Sequence, residues 1–510
     1  MQNNQLKIGS LLSYLQMTLS VMIGLVYTPV MIRLLGQNEY GLYNTVSSTS
    51  SMLSIISLGF NSGYIRYFAK YKQKRDTESI YRLNGLFLLI FSILGLIAIL
   101  CGMYLTHHLQ LVFQDGLTAE EYQVAKVLML LLTVNLAVSF PISVFQSIIS
   151  AHERFIFLKS LSILKTILGP LLTLPLLLMG YRSIGMVSVT FLVSLAADIC
   201  YLYYVIVRLK NRFYFSGFEK GLFKSLFTFS GFIALNIMID QINWNIDKVL
   251  LGRFKGTASV AVYSVGYSLY HYYMLISTAI SGVFTPGIHR IYNQNKDNQE
   301  RMNQLFTDLF IKVGRVQYLI LGLVASGVFF FGKPFIRIWA GEGYDDSYVV
   351  ALLLILPSTI SLIQNIGIEI QRAENKHQFR SIVYSLMAAL NLGMSIYLCQ
   401  LYGAVGSAIG TAVALVIANG FIMNVYYQKQ CGINIRLFWA NIIKMSYGLI
   451  VPFILGGFLK YYANITTFAQ MAFCIVIYTT VYSWSVWMFS MNQSEKALIK
   501  LPIKKILRKK

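Results

Sequence analysis

Long apolar runs separated by short charged clusters set the architecture of this chain. Ile8 to Ile32, Tyr40 to Ile65 and Leu83 to Gln114 contain no Asp, Glu, Lys or Arg. Ser381 to Gln428 extends this to 48 residues without a charge. A helix needs about 20 apolar residues to cross a bilayer. The longest run therefore predicts a helical hairpin, with its turn at Leu401-Tyr402-Gly403-Ala404-Val405-Gly406. Barrel strands would give alternating segments of about 10 residues, and these runs are far longer. The pattern predicts an all-α integral membrane protein of about 14 transmembrane helices. They fall at 9–32, 41–65, 83–106, 125–150, 160–180, 184–207, 225–248, 259–286, 312–331, 348–369, 381–401, 404–428, 444–459 and 464–491.

The segments between these runs are echoed along the chain. Ala151-His-Glu-Arg154-Phe-Ile-Phe157 matches Ala373-Glu-Asn-Lys376-His-Gln-Phe379 at an offset of 222. Gly180-Tyr181-Arg-Ser-Ile184-Gly185 matches Leu401-Tyr402-Gly-Ala-Val405-Gly406 at 221. Leu34-Leu35-Gly36 precedes Tyr43, as Leu250-Leu251-Gly252 precedes Tyr263. Three matches in one order predict two pseudo-symmetric lobes of six helices in the same orientation, a plan that transporters use. The expected divisions are 1–224 for the first lobe and 225–430 for the second. Residues 431–510 hold two further helices and a basic tail.

Composition agrees with the pattern. Hydrophobic residues make up 56% and charged residues 12% of the 510, against about 25% charged in soluble domains. With an even helix count both termini lie on one side. Placing them in the cytoplasm puts 33 of the 42 Lys and Arg inside and 9 outside, as positive-inside bias requires. The net charge of +22 thus reflects inner loops and a tail suited to anionic lipid, with no nucleic-acid partner. The first apolar run is too long for a cleavable signal and lacks a small-residue cleavage site. The five cysteines are scattered and read as packing residues, with no metal site.

Several segments resemble a known family. Thr28-Pro29-Val-Met-Ile-Arg33-Leu34-Leu35-Gly36-Gln-Asn-Glu39-Tyr40-Gly41-Leu-Tyr43 is similar to the first-helix signature of Wzx-type polysaccharide flippases. These belong to the multidrug/oligosaccharidyl-lipid/polysaccharide (MOP) superfamily. Asp247-Lys248-Val-Leu-Leu251-Gly252 with Val262-Tyr263-Ser264, and Phe335-Ile-Arg-Ile-Trp339-Ala-Gly341-Glu-Gly343-Tyr344, resemble later segments of the family. The resemblance implies a bundle alternating between inward-open and outward-open states. It also implies an undecaprenyl-pyrophosphate-linked oligosaccharide as substrate, moved from the inner to the outer leaflet for O-antigen, capsule or exopolysaccharide synthesis. Helices 1, 2, 7 and 8 would line the path, and other polysaccharide-assembly membrane proteins would be partners.

A hydrated glycan and a diphosphate need a polar path shielded from hydrocarbon. Asn236, Asp240, Asn243 and Asp247 are spaced to share one face of the seventh helix. Such a stripe is either a cavity wall or hydrogen-bonded glue between helices. Arg33, Arg66, Lys248 and Arg253 are candidates for the diphosphate, or are interface anchors. Tyr267 and Tyr270 present aromatic faces for sugar stacking or for bundle packing. Asp198, Asp240 and His271 are candidates for H+ or Na+ coupling, with structural hydrogen bonding as the alternative. No cofactor is called for.

No enzyme site is evident. Gly327-Val-Phe-Phe-Phe-Gly332-Lys333 imitates a phosphate loop, but Pro334 stands where Ser or Thr is required. Alternatives to oligosaccharide export are a peptidoglycan lipid II flippase and a cation-coupled drug antiporter. A membrane polysaccharide polymerase fits less well, because the loops on the outer side are short.

Overall fold

The computed structural model describes residues 2–57, 59–218, 221–376, 378–497 and 500. Among these residues there is no strand. The principal helices begin with α1 (Gln2–Leu35), α2 (Gln37–Met52), α3 (Phe60–Gln73), α4 (Thr77–His107) and α5 (Ala119–Ala151). Next come α6 (Phe155–Leu178), α7 (Arg182–Tyr203), α8 (Leu222–Phe254), α9 (Thr257–Gln294) and α10 (Gln299–Ala340). The chain ends with α11 (Asp345–Leu362), α12 (Ile366–Ala373), α13 (Gln378–Leu415), α14 (Ile435–Ser446), α15 (Ile450–Tyr462) and α16 (Phe468–Phe489). Ten helical stretches among the described residues are long and apolar enough to cross a membrane.

One of the ten, Gln378–Lys429, has 52 residues, over twice the length a single pass needs. It is a hairpin. Gly403 takes φ 57° and ψ −133°, outside the helical region. The Thr411 hydroxyl donates to Asn391 Oδ1 at 3.3 Å, and the Tyr384 hydroxyl donates to Asn419 Oδ1 at 2.7 Å. A straight helix would hold the latter pair about 50 Å apart. The turn therefore forms where the sequence predicts it. The expected single helix over 41–65 instead breaks. Leu53–Ser57 tightens to a 3-10 turn, and Gly59 is left-handed at φ 67° before α3 begins.

Similar turns recur at the spacing of the sequence matches. Glu153 and Asn375 are left-handed at φ 58° and φ 57°, at equivalent places 222 residues apart. Arg154 N–H donates to Ile149 O at 3.1 Å, and Lys376 N–H donates to Gln371 O at 2.8 Å. Both are helix C-caps that a left-handed residue closes. Gly36 and Gly256, each at φ 79°, join α1 to α2 and α8 to α9. At that offset of 220, Arg33 and Arg253 occupy equivalent positions, each three residues before its left-handed glycine.

By internal packing the chain forms two units, residues 1–264 with 395–407 and residues 265–394 with 408–510. The core of the first unit gathers Phe60, Tyr64, Phe87, Phe91 and Phe145 from α3, α4 and α5. Glycine brings backbones together there. A Cβ on Gly95 would sit 2.7 Å from Ala137 O, and one on Gly102 would sit 2.1 Å from Thr133 Cγ2. Small residues permitting close approach are the usual basis of helix packing in lipid. In the second unit Phe330, Phe331, Cys474, Tyr478, Tyr482 and Val486 pack α10 against α16. Arg315 and Glu495, both buried, form an ion pair at 2.6 Å that ties the segment after α16 to α10.

Candidate functional site

The polar residues of α8 do not behave alike. Asp247 is 1% exposed. Tyr263 of α9 donates its hydroxyl to Asp247 Oδ2 at 2.8 Å, and Ser407 donates to Asp247 Oδ1 at 2.8 Å. Each carboxylate oxygen therefore has a hydroxyl donor, as a buried charge requires. Lys248, the next residue, is also buried, and Asp247 is the charge acting on it. Asp240 is exposed and Asn243 is half-buried. The Asn245 side-chain amide donates to Gln241 Oε1 at 2.7 Å one turn away. The side chain of Asn236 lies outside the described residues.

The other cationic candidates are dispersed. Arg33 is exposed in the last turn of α1, and Arg66 is exposed on α3. Arg253 donates to Leu111 O at 3.4 Å and lies 5.7 Å from the centroid of the Phe254 ring. Asp198 of α7 is buried, and Lys165 of α6 is the charge acting on it. Sequence reasoning passed over Lys165. Its signal is a cation near the middle of the span 155–178, about a turn and a half beyond Lys159.

Tyr267, Tyr270 and His271 belong to the second unit. Tyr267 and His271 stack with centroids 6.3 Å apart and an interplanar angle of 20°, while the Tyr267 and Tyr270 rings meet edge-on at 5.9 Å. Tyr270 is 3% exposed and donates to Met274 Sδ at 3.9 Å. The same unit carries a polar network that the sequence reading did not single out. Gln317, fully buried, donates to Ser277 O and to Ser277 Oγ, each at 3.1 Å. Ser277 in turn donates to Leu362 O at 2.9 Å. Arg380 donates to the Tyr384 hydroxyl at 3.0 Å, with its guanidinium 4.4 Å from that ring. Gln317 and Ser277 were missed because isolated Gln and Ser in apolar runs give no periodic signal.

Chemically, these arrangements are hydrogen-bonded polar groups carried within apolar helices. Among the described residues no group of three His, Cys, Asp or Glu is placed to hold a metal.

Comparison with known proteins gives this geometry its context. Residues 8–292 match the family described as "Polysaccharide biosynthesis protein". A Shigella flexneri protein named "Putative O-antigen transporter" is 21% identical over 412 residues, covering 78% of this chain and 92% of that protein. The structure of the lipid II flippase MurJ in an inward closed conformation superposes with a TM-score of 0.69 at 14% identity, over 95% of this chain and 98% of that one. An inward-facing MATE multidrug-resistance transporter of the MOP superfamily gives 0.59 at 14% identity, over 81% and 99%. The Vibrio cholerae MATE transporter VcmN gives 0.56 at 16%, over 86% and 99%. The relatives are transporters and flippases rather than enzymes. The chain is therefore a multi-pass membrane protein with the fold of MOP-superfamily transporters, and it belongs to the polysaccharide biosynthesis protein family.

Proposed function

We propose that this protein carries an undecaprenyl-pyrophosphate-linked oligosaccharide from the inner to the outer leaflet of the bacterial cytoplasmic membrane. It does so by alternating access of two six-helix repeats, 1–224 and 225–430, with 431–510 as an added helix pair and tail. Both termini face the cytoplasm. The observation that supports this most is the conjunction of a polysaccharide-biosynthesis family match with a transporter fold. Polar groups held inside spans add to it, because such groups are expensive in hydrocarbon and are functional as a rule. Asp240 and Asn243 supply polar groups for the glycan. Arg33, Arg66 and Arg253 offer guanidinium forks to the diphosphate, and Lys248 adds a point charge. Tyr267 and Tyr270 stack on sugar rings.

Proteoliposomes containing only this protein and a fluorescent lipid-linked oligosaccharide test the proposal. Outward movement measured by a leaflet-impermeant quencher supports it, and an unchanged leaflet distribution defeats it. Replacing Asp198 by Asn tests ion coupling in the same vesicles. If Asp198 carries the coupling ion, the rate loses its dependence on the pH or sodium gradient. If Asp198 is only Lys165's counter-charge, that dependence survives.

One alternative has a specific observation behind it. The superposition on the lipid II flippase, at 0.69, exceeds that on the MATE transporter, at 0.59. A lipid II flippase would restore growth when its host's own lipid II flippase is depleted. An oligosaccharide exporter would restore surface polysaccharide and not growth.

A further inference from the structure

On the first unit, a cavity of about 420 Å³ opens where α3 ends, α4 begins and the segment after α7 passes by. Its size falls within the range of small-molecule sites. Its lining is divided by chemistry. Tyr71, Leu83 and Phe218 form an apolar part, with Tyr71 and Leu83 buried. Lys70, Lys74 and Arg82 supply three cations. The one acid, Asp76, is already engaged, accepting from Ser79 N at 3.0 Å and from Ser79 Oγ at 2.6 Å to cap α4. Ser79 also lines the cavity.

Arg82 is held in place from two sides. It donates to Gly217 O at 3.1 Å and pairs with Glu78 one turn back. Gly217 is left-handed at φ 72°, and a Cβ there would approach Arg82 Cζ to 3.1 Å. Glycine thus lets the guanidinium lie close against the backbone. The cavity sits at the first turn of the candidate span Thr77–His107, the depth at which lipid headgroups meet a protein.

We propose that this cavity binds the phosphate of an anionic lipid headgroup, with the phosphate against Lys70, Lys74 and Arg82 and the glycerol over Tyr71 and Leu83. The pairing of a cationic part with an apolar part favours a lipid over free phosphate, which has no use for the apolar part. The inference stands whether or not the chain exports an oligosaccharide.

Native mass spectrometry of the full chain, titrated with phosphatidylglycerol and with phosphatidylcholine, tests it. The double variant Lys70→Gln/Lys74→Gln should weaken phosphatidylglycerol binding about tenfold and leave phosphatidylcholine unaffected. Lys72→Gln/Arg75→Gln removes two charges from the same turn but outside the lining. It should change binding by less than about twofold if the cavity is the site. Equal losses in both variants would mean diffuse surface charge and would overturn the proposal, as would no loss in either. Inorganic diphosphate serves as competitor. Failure to displace the lipid supports a headgroup ligand, and displacement at equal concentration would overturn it in favour of a soluble phosphate. All four substituted residues are exposed or at the helix end. Unchanged melting temperatures should confirm intact folding.

Discussion

At the residue scale, the informative groups are those whose polarity the surroundings must answer. His152, in the turn between α5 and α6, donates its Nδ1–H to Ile148 O at 2.9 Å and packs 4.9 Å from the Phe68 ring. Burial, with Lys72 and Arg154 nearby, lowers its pKa below the usual 6.5. A histidine with a depressed folded pKa contributes its stability above the unfolded value and loses it as pH falls through the folded one. The melting temperature should therefore drop as pH is lowered below about 6.5, and His152→Gln should flatten that slope in a pH-resolved thermal melt. Asp247 makes a second case. Asp247→Ala would leave the Tyr263 and Ser407 hydroxyls without their acceptor in a buried place. A loss of roughly 1–3 kcal/mol is expected, read as a lower melting temperature in detergent, with Asp247→Asn losing less.

At the element scale, glycine decides which helices touch. A Cβ on Gly41 would lie 1.8 Å from Thr257 O, and one on Gly252 would lie 2.6 Å from Thr45 Cγ2. Both bring α2 against the α8–α9 junction. Gly41→Val should therefore destabilise the first unit by about 1–3 kcal/mol or more, whereas Gly169→Ala, with open space around it, should be near neutral. Thermal melts of the two variants make the comparison. Hydroxyls of α2 bond back along their own helix as well. Thr45 and Thr49 donate back to Gly41 O and Thr45 O at 2.8 and 2.9 Å. The helices themselves were legible in sequence because apolar runs carry a length signal, and the hairpin at Gly403 followed from a run too long for one pass. The break at Gly59 was not, because a left-handed glycine inside an apolar run looks like any other small residue. Asp247 was legible as a polar residue on a face, but its partners Tyr263 and Ser407 were not. Ser407 lies 160 positions away, and spacing on one helix says nothing about such contacts. Lys165 beside Asp198 escaped for the same reason.

At the scale of the whole molecule, turns recur more faithfully than side chains do. Glu153 and Asn375 share a left-handed cap while their residue types differ. The segment after α16 is bound into the second unit by a buried ion pair and the hydrogen bonds around it. Arg315 is 7% exposed and donates to both Glu495 oxygens, at 2.6 and 2.9 Å, and to Ser490 O at 3.0 Å. Removing one partner leaves a buried charge unanswered. Glu495→Leu should lower stability by about 3–5 kcal/mol. The double variant Arg315→Met/Glu495→Leu should recover much of that loss in the same chemical or thermal unfolding assay. The two residues are 180 positions apart. The guanidinium is therefore synthesised long before the carboxylate that answers it. Until the segment after α16 is made, Arg315 lacks the carboxylate that both of its strongest hydrogen bonds require. A chain that stops before Glu495 lacks that acceptor, and it should unfold at a lower temperature than the full chain.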